Sequence, residues 1–178
     1  MGYSLDTVYA SVESQVTEFF QACEGDWHSE RRYYTLKSGS VQEVVSHISI
    51  RFLNTGSPEL DHLANRHGLD TSTRLVCGTQ VTWESNYVNT NQKPVSGSTV
   101  FGVRGAVLYR DRGFATAKPV TADCWLRDTR TLVLKTAYDG SSFEEEIKLI
   151  GDRTRTRQTI ICRAGQEIMI GQYLEQRC

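Results

Sequence analysis

The chain has 178 residues, of which 39% are hydrophobic and 23% charged, a composition typical of one folded domain with a substantial core. It excludes an intrinsically disordered protein. The formal net charge of −1 provides no general attraction to nucleic acid or to an anionic membrane, and no apolar run reaches the length of a membrane span. Residues 1–11 lack the basic and apolar regions of a secretory signal.

The N-terminal region is predicted to be helical. Apolar residues recur there at helical spacing, at Leu5, Val8, Val12, Val16, Phe19, Phe20 and Cys23. This periodicity predicts a helix over 4–23. Gly25 follows shortly after, and glycine is the residue type that most often ends a helix.

From Trp27 onward the hydrophobic period changes to two, which is typical of β-strands with one buried face. Strands are predicted at 27–37, 41–53, 75–85, 97–104, 106–111, 114–125, 131–138, 142–150, 154–163 and 166–177. Several intervening turns contain Gly, Asn or Asp and are short enough for β-hairpins, so sequential strands are expected to pair antiparallel. The predicted fold class is therefore mainly β, a single up-and-down antiparallel barrel of about ten strands.

One interruption of the strand series predicts a second, short helix. Ser57-Pro58-Glu59 has the pattern of a helix start, with proline in the first turn. Leu60, Leu63 and Ala64 then form a short apolar face, and we expect this helix to cover one end of the barrel. No linker, repeat or low-complexity tract divides the chain, so residues 1–178 are predicted to form one domain.

A Gly25-x-Trp27 motif stands between the N-terminal helix and the strand series. This arrangement suggests a lipocalin-like barrel, which closes on itself and can hold one small ligand in its mouth or lumen. In such barrels the tryptophan usually closes one end, often under an arginine. Arg177 and Arg163 are the two candidate cation–π partners of Trp27.

The strand predicted at 154–163 carries charge on a face that a barrel should bury. Alternation places Arg155, Arg157 and Thr159 on the same face. A buried guanidinium group requires an anionic partner, which is a carboxylate either of the protein or of a ligand. The last strand offers one protein candidate, Glu175.

The sequence gives little support to metal or nucleophilic chemistry. The five cysteines form no CxxC pair and no ligand-spaced group with histidine, so no metal site is predicted. Their odd number, without an export signal, indicates free thiols in a reducing, cytosol-like compartment. Cys23 and Cys162 are interpreted as small packed hydrophobic residues. The four histidines are scattered, with no serine or cysteine at the spacing of a catalytic triad.

Several short motifs, each weak alone, recur along the chain in a specific order and spacing. They are Gly25-Asp-Trp27-x-Ser29-x-Arg31, Val76-Cys77-Gly78-x-x-Val81-Thr82-Trp83, Gly97-Ser98-Thr99-Val100, Leu108-Tyr109-Arg110-Asp111-Arg112-Gly113-Phe114-Ala115, Lys118-Pro119-Val120, Arg155-x-Arg157-x-x-Ile160 and Glu175-x-Arg177. Together they resemble the S/U-type phycobiliprotein lyases of cyanobacteria and related algae. The resemblance covers nearly the whole chain.

The resemblance implies a lipocalin-like enzyme whose substrate is a linear tetrapyrrole (bilin), phycocyanobilin or phycoerythrobilin, with no separate cofactor. It implies that the enzyme attaches the bilin to a cysteine of a phycobiliprotein subunit. The cysteine thiol adds to a side-chain double bond on ring A and forms a thioether. It also implies a cytoplasmic location, in the cyanobacterial cytosol or a plastid, and a homodimer or a heterodimer with a related lyase chain. No nucleic acid partner is expected.

Arginine is the residue best suited to bind the two propionates of such a ligand, because its planar guanidinium group can donate two parallel charge-assisted hydrogen bonds. Arg155 and Arg157 are the leading candidates, followed by Arg31, and the resemblance indicates the same positions. On residue type and spacing alone, the favoured alternative is that Arg155 and Arg157 pair with the glutamates at 144–146 on the preceding strand.

Glu175 and Trp83 complete the predicted site. A carboxylate can accept hydrogen bonds from pyrrole nitrogens and can assist proton transfer to the reacting double bond, and Glu175 matches an acidic position of the family. With Arg155 it forms the predicted catalytic pair. The equally weighted alternative is a salt bridge with Arg177 or with a neighbouring strand. Trp83 is either an aromatic wall for the tetrapyrrole or a core residue.

Three functions fit these observations. The first is a lyase that binds a bilin and transfers it to a cysteine of a phycobiliprotein. The second is a lipocalin-like carrier for a bilin, or another amphipathic carboxylate, without transfer activity. The third is a non-catalytic subunit of a heterodimeric lyase. A lyase leaves the acceptor protein with a covalently bound chromophore, whereas a carrier does not.

Overall fold

The computed structural model describes residues 5–70 and 72–178, which form two helices and ten strands. The helices are α1 (Leu5–Cys23) and α2 (Pro58–Arg66). The strands are β1 (Gly25–Thr35), β2 (Ser40–Asn54), β3 (Cys77–Tyr87), β4 (Val95–Arg104), β5 (Val107–Arg110), β6 (Val120–Asp128), β7 (Thr131–Tyr138), β8 (Ser141–Ile150), β9 (Thr154–Arg163) and β10 (Gln166–Arg177). Within the described residues, no helix is long and apolar enough to cross a membrane.

The ten strands form one closed barrel in which each strand pairs antiparallel with its neighbours in the chain. β1 pairs with both β2 and β10, and this pairing closes the sheet. The predicted up-and-down barrel is therefore confirmed. Closure removes the free sheet edges and creates an interior, into which alternate residues of the strands project.

Helix α1 lies across one end of the barrel and contacts β2, β3, β4 and β6. Its buried face packs among interior residues of the strands and consists of Val16, Phe19, Phe20 and Cys23. These residues are three or four positions apart, which is why the sequence pattern predicts the helix. The prediction over 4–23 is confirmed from Leu5 onward, and Ser4 lies outside the described residues.

Helix α2 packs on the outer wall of the barrel, so the prediction that it covers one end is wrong. Leu60 and Leu63 are buried against the outer face of β3 and β4. A Cβ on Gly78 would lie 2.6 Å from Leu60, and one on Gly102 would lie 3.1 Å from both leucines. The two glycines therefore leave a flat strip on which the helix can rest. The sequence around α2 does not contain this information, because the strip is formed by distant strands.

Two side chains from the strands cap the C-terminal end of α1. Arg177 donates hydrogen bonds from Nη1 to the carbonyl oxygen of Glu24 and from Nη2 to that of Ala22, the second at 2.7 Å. Trp27 Nε1 donates to the carbonyl oxygen of Cys23 at 2.9 Å. These bonds satisfy carbonyl groups that a helix leaves unpaired at its end.

The same contacts explain the Gly25-x-Trp27 motif. Gly25 has a φ of +122°, which favours glycine, and a Cβ there would lie 2.7 Å from Nη1 of Arg177, so a larger residue would displace the capping guanidinium group. The guanidinium group of Arg177 lies 4.4 Å from the ring centre of Trp27, which confirms one of the two predicted cation–π partners. The other candidate, Arg163, is at the far end of β9, and the second observed partner is Arg155, at 4.9 Å.

The predicted strands lie within two residues of the observed ones except at 114–125, where β6 begins six residues later than expected. Residues 111–119 instead form a loop, here called the mouth loop, at the barrel end opposite α1. Asp111 accepts hydrogen bonds from β4, and Gly113 N–H donates to the carbonyl oxygen of Thr116 at 2.9 Å. These local bonds replace the ladder bonds that a strand would need.

Arg177→Ala should lower the free energy of unfolding by about 2 kcal/mol, because it removes three charge-assisted hydrogen bonds, to the carbonyl oxygens of Ala22, Glu24 and Asp152, and a cation–π contact. Equilibrium denaturation at neutral pH measures the loss. Arg127→Ala is a suitable control because Arg127 forms an exposed ion pair with Glu146, and it should cost less than about 1 kcal/mol. Equal losses in the two variants would contradict the capping role of Arg177.

Candidate functional site

The barrel interior contains a cavity of about 340 Å³, a size found in small-molecule sites. Its floor is formed by three residues of α1, Phe19, Phe20 and Cys23. At the opposite end the mouth loop contributes Arg112 and Phe114. The walls between floor and mouth are mainly apolar and include aromatic rings such as Trp83 and Phe101. Such walls suit a ligand with a large, flat apolar body.

The charge around this cavity is strongly positive. Five arginines line it, Arg31, Arg110, Arg112, Arg155 and Arg157. Within the described residues, the carboxylates that pair with these arginines are Glu145 and Glu175. The positive charge of these arginines therefore exceeds the negative charge of their carboxylate partners by three. Because charge removed from water is costly unless it is compensated, the cavity favours a ligand with carboxylate groups.

The deeper of two ion-pair clusters is centred on Glu175, which is fully buried. Its Oε2 accepts a hydrogen bond from Arg155 Nε at 2.5 Å, and its Oε1 accepts one from Ser29 Oγ at 3.1 Å. Strand register places Glu175 opposite Ser29 on one side and Arg155 on the other. Burial raises the pKa of Glu175, but Arg155, with Arg157 and Arg31 nearby, outweighs burial and holds that pKa below its usual range.

The second cluster is centred on Glu145, which is also buried and lies on the inner face of β8. Glu145 accepts hydrogen bonds from Arg157 Nη2 and from Arg110 Nη1, the latter at 3.0 Å. Burial raises the pKa of Glu145, but the two guanidinium groups outweigh it, so the pKa lies below its usual range. The Nε atoms of both arginines are buried without a hydrogen-bond partner among the described residues, so each arginine keeps an unused donor.

Two cavity arginines, Arg31 and Arg112, have no carboxylate partner among the residues that the structure describes. Arg31 is half-buried; its Nε donates to Ser29 Oγ at 3.1 Å, and its Cζ lies 5.4 Å from the ring centre of Tyr173. Arg112 is exposed at the mouth of the cavity. These two guanidinium groups are therefore the ones most available to a ligand.

Trp83 is half-buried and lines the cavity wall. A Cβ on Gly97 of the neighbouring strand would lie 2.5 Å from its ring, so the glycine leaves the space that the ring occupies. The ring also packs against the hydrophobic core. Its position fits an aromatic wall, and its contact with a ligand stays a prediction.

The structure brings the predicted residues Arg31, Arg155, Arg157 and Trp83 together around one cavity. The alternative pairings are found in part. Arg157 pairs with Glu145 of the preceding strand, whereas Arg155 pairs with Glu175 on the following strand and not with the 144–146 glutamates.

Glu175 likewise forms its salt bridge with a neighbouring strand and not with Arg177. It lies behind Arg155 and not on the cavity surface. The expected contact with pyrrole nitrogens would therefore require Glu175 to give up its hydrogen bond with Ser29 or with Arg155 and to form one with the ligand.

Sequence reasoning missed Arg110, Arg112, Phe114 and Tyr173 as cavity residues. Alternation could have found Tyr173, because it shares a strand face with Glu175 two positions away. Arg110 could have been found in the same way on β5. No strand period applies to Arg112 and Phe114, because they lie in the mouth loop.

The cysteine that lines the cavity, Cys23, is poorly suited to act as a nucleophile. All five cysteines are free thiols. Burial raises the pKa of Cys23, although Arg155 partly opposes it, and burial raises the pKa of Cys124 to about 12. At neutral pH these groups are thiols and not the reactive thiolates. Cys23 therefore presents a thiol, and not a thiolate, to a ligand in this cavity.

Comparison with known proteins assigns the family. A family model described as CpeS-like protein matches residues 15–178. The chain belongs to the CpeS-like family.

Two curated relatives and one solved structure give the family context. A protein of Nostoc sp. named "Putative phycocyanobilin lyase CpcS 2" is 56% identical over 165 residues, which cover 93% of this chain and 92% of that protein. A protein of Picosynechococcus sp. named "Phycocyanobilin lyase subunit CpcS" is 29% identical over 156 residues, covering 83% and 78%. The S-type phycobiliprotein lyase CPES of Guillardia theta has the same fold, with a TM-score of 0.77 over 92% of each chain at 23% identity.

Glu175→Gln should lower the free energy of unfolding by about 3 kcal/mol at neutral pH, because it leaves the buried Arg155 without its charged partner. The folded pKa of Glu175 lies below its ordinary value of 4.5, so this contribution is present above that pH and is lost as the pH falls through the folded pKa. The difference between wild type and variant should therefore shrink below about pH 4.5. Denaturant titrations across this range measure it.

Glu144→Gln is the matched control for this experiment. Glu144 lies on the outer face of β8, where it forms an exposed ion pair with Lys135. This substitution should change the free energy of unfolding by less than about 1 kcal/mol. A loss in Glu175→Gln that stayed constant down to acid pH would contradict an ionised, stabilising Glu175.

Proposed function

We propose that this protein is a phycobiliprotein chromophore lyase, which binds a bilin without a covalent bond and attaches it to a cysteine of a phycobiliprotein subunit. The observation that carries the proposal is the aromatic cavity with an excess of guanidinium groups over paired carboxylates. A bilin has a long conjugated body and two propionate tails, which are complementary to these two features. The names of the relatives as lyases support the same function.

Arg31, Arg155 and Arg157 are the proposed propionate-binding residues, and Trp83 is the proposed aromatic wall. Arg31 has no carboxylate partner among the described residues, and Arg157 keeps an unused Nε donor. Arg155 is already bonded to Glu175, so a propionate would share it. The three arginines come from β1 and β9, and the aromatic ring comes from β3.

Glu175 and Arg155 are the proposed catalytic pair. Arg155 is the member that lines the cavity, and Glu175 holds it in place. Because the pKa of Glu175 is held below its usual range, the carboxylate is ionised at neutral pH. It is therefore suited to accept hydrogen bonds, and at neutral pH it carries no proton to donate.

The reaction forms one C–S bond and needs no oxidant or reductant. The acceptor thiol adds across the ring A double bond: its S–H bond and the π bond break, its sulfur bonds to one carbon, and a proton is delivered to the other carbon of the same double bond. The nucleophile belongs to the acceptor, so the proposed role of this protein is to bind the bilin and orient ring A. Holding reactants in a productive geometry can account for a large share of a rate enhancement.

The proposed substrate is phycocyanobilin or phycoerythrobilin, with no separate cofactor, and the proposed acceptor is a phycobiliprotein subunit. We further propose a cytoplasmic location, in the cyanobacterial cytosol or a plastid, to which the five free thiols are suited. A homodimer or a heterodimer with a related lyase chain is the proposed assembly. The relative in Picosynechococcus is named a lyase subunit, and this name supports the heterodimer as the second candidate assembly.

The proposed function is tested by titrating the protein with phycocyanobilin and phycoerythrobilin and then adding apo phycobiliprotein subunits. The expected result is a shifted absorbance spectrum on binding, followed by a coloured acceptor band that survives denaturation. A shift without transfer would indicate a carrier or an incomplete heterodimer. No shift with either bilin would contradict the proposal.

Arg157→Ala should weaken bilin binding by about 1.5–3 kcal/mol, the range for a charge-assisted hydrogen bond. This variant should remain folded, because Arg110 still pairs with Glu145. The control is Arg153→Ala, since Arg153 is exposed just before the same strand, at the end near α1. Absorbance titration gives both affinities, and equal binding by the two variants would remove Arg157 from the site.

A further inference from the structure

We propose that Arg112 binds a carboxylate tail of the bilin at the mouth of the barrel. This inference rests on the proposed function and adds a binding residue to it. It concerns the mouth loop, a part of the cavity that is not built from a strand.

The positive charge around the cavity exceeds the negative charge of its paired carboxylates. Arg155 is paired with Glu175, while Arg110 and Arg157 share Glu145. Arg112 adds a further positive charge to the same cavity and has no carboxylate partner among the described residues. Like charges around one cavity repel each other unless an anion lies between them. A ligand carboxylate at the mouth would relieve this repulsion.

Hydrogen bonds on both sides of Arg112 hold the backbone of the mouth loop in a defined position. On one side, Asp111 Oδ1 accepts hydrogen bonds from Thr99 Oγ1 at 2.7 Å and from the backbone of β4 at 3.1 Å. On the other side, Ala115 N–H donates to the hydroxyl group of Tyr138 at 2.9 Å. Arg112 is therefore exposed on an anchored backbone, and less conformational entropy is lost when it binds a ligand.

Gly113, the residue after Arg112, further restricts the conformation of the mouth loop. A Cβ on Gly113 would lie 2.8 Å from Thr116 and 2.9 Å from the ring of Tyr138, so only glycine fits without a shift of these groups. The approach of Tyr138 to the loop backbone thus depends on this position.

An aromatic surface adjoins Arg112. Phe114 stacks on Phe143 with ring centres 4.6 Å apart, and the guanidinium group of Arg110 lies 4.5 Å from the ring of Phe114. Because Phe114 and Arg112 both line the cavity, the loop offers an apolar ring and a free cation side by side. A conjugated ring that carries a propionate has the complementary chemistry.

The test compares wild type, Arg112→Ala and Lys118→Ala as binders of phycocyanobilin and of its propionate dimethyl ester. Lys118 is the matched control, because it is an exposed cation of the same loop that does not line the cavity. Arg112→Ala should raise the Kd for phycocyanobilin about tenfold and leave the Kd for the ester at the wild-type value. Lys118→Ala should bind both ligands as wild type does.

Two results would overturn the inference while the proposed function stands: an unchanged Kd for phycocyanobilin in Arg112→Ala, or an equal loss of affinity for the free acid and the ester. The second would assign Arg112 to packing. Absence of bilin binding by wild type would overturn the proposed function and this inference together. Because Arg112 is exposed, the variant should fold, and its melting temperature should match that of wild type.

Discussion

Guanidinium groups inside a closed barrel must be balanced by negative charge, and this constraint organises the interior of the protein. Glu175 and Glu145 each sit at the centre of a cluster and hold arginines from neighbouring strands around one cavity. Both carboxylates are buried and ionised, so they fix the direction of the arginines as well as their charge state. Compensation is incomplete, and the remaining positive charge favours a ligand with carboxylate groups.

The two ends of the barrel differ in structure and in proposed role. At one end, α1 closes the floor and is locked in place by Trp27 and Arg177, which bond its last carbonyl groups. At the other end, the mouth loop leaves Arg112 exposed beside the cavity. A bilin bound between them would be held by its body and its propionates, with the reacting ring presented to an acceptor thiol. In this account Cys23 at the floor does not compete with the acceptor, because burial keeps it protonated.

Much of the architecture follows from local signals in the sequence: helical spacing in α1, a period of two in the strands and short hairpin turns. The inward face of β9 also follows from alternation, which places Arg155 and Arg157 together. Alternation selects a face but not a partner, so the pairing of Arg155 with Glu175 depends on the register between β9 and β10. The seat of α2 depends on glycines in distant strands, and Arg112 lies in a loop where no period applies. These features are tertiary and leave no local signal.

A structure of the protein with phycocyanobilin bound would show directly whether the cavity arginines bind the propionates. We expect the tetrapyrrole inside the barrel, with its propionate oxygens within hydrogen-bond distance of guanidinium groups that line the cavity. A tetrapyrrole bound on the outer wall, or one inside the barrel with both propionates directed away from these arginines, would contradict this expectation.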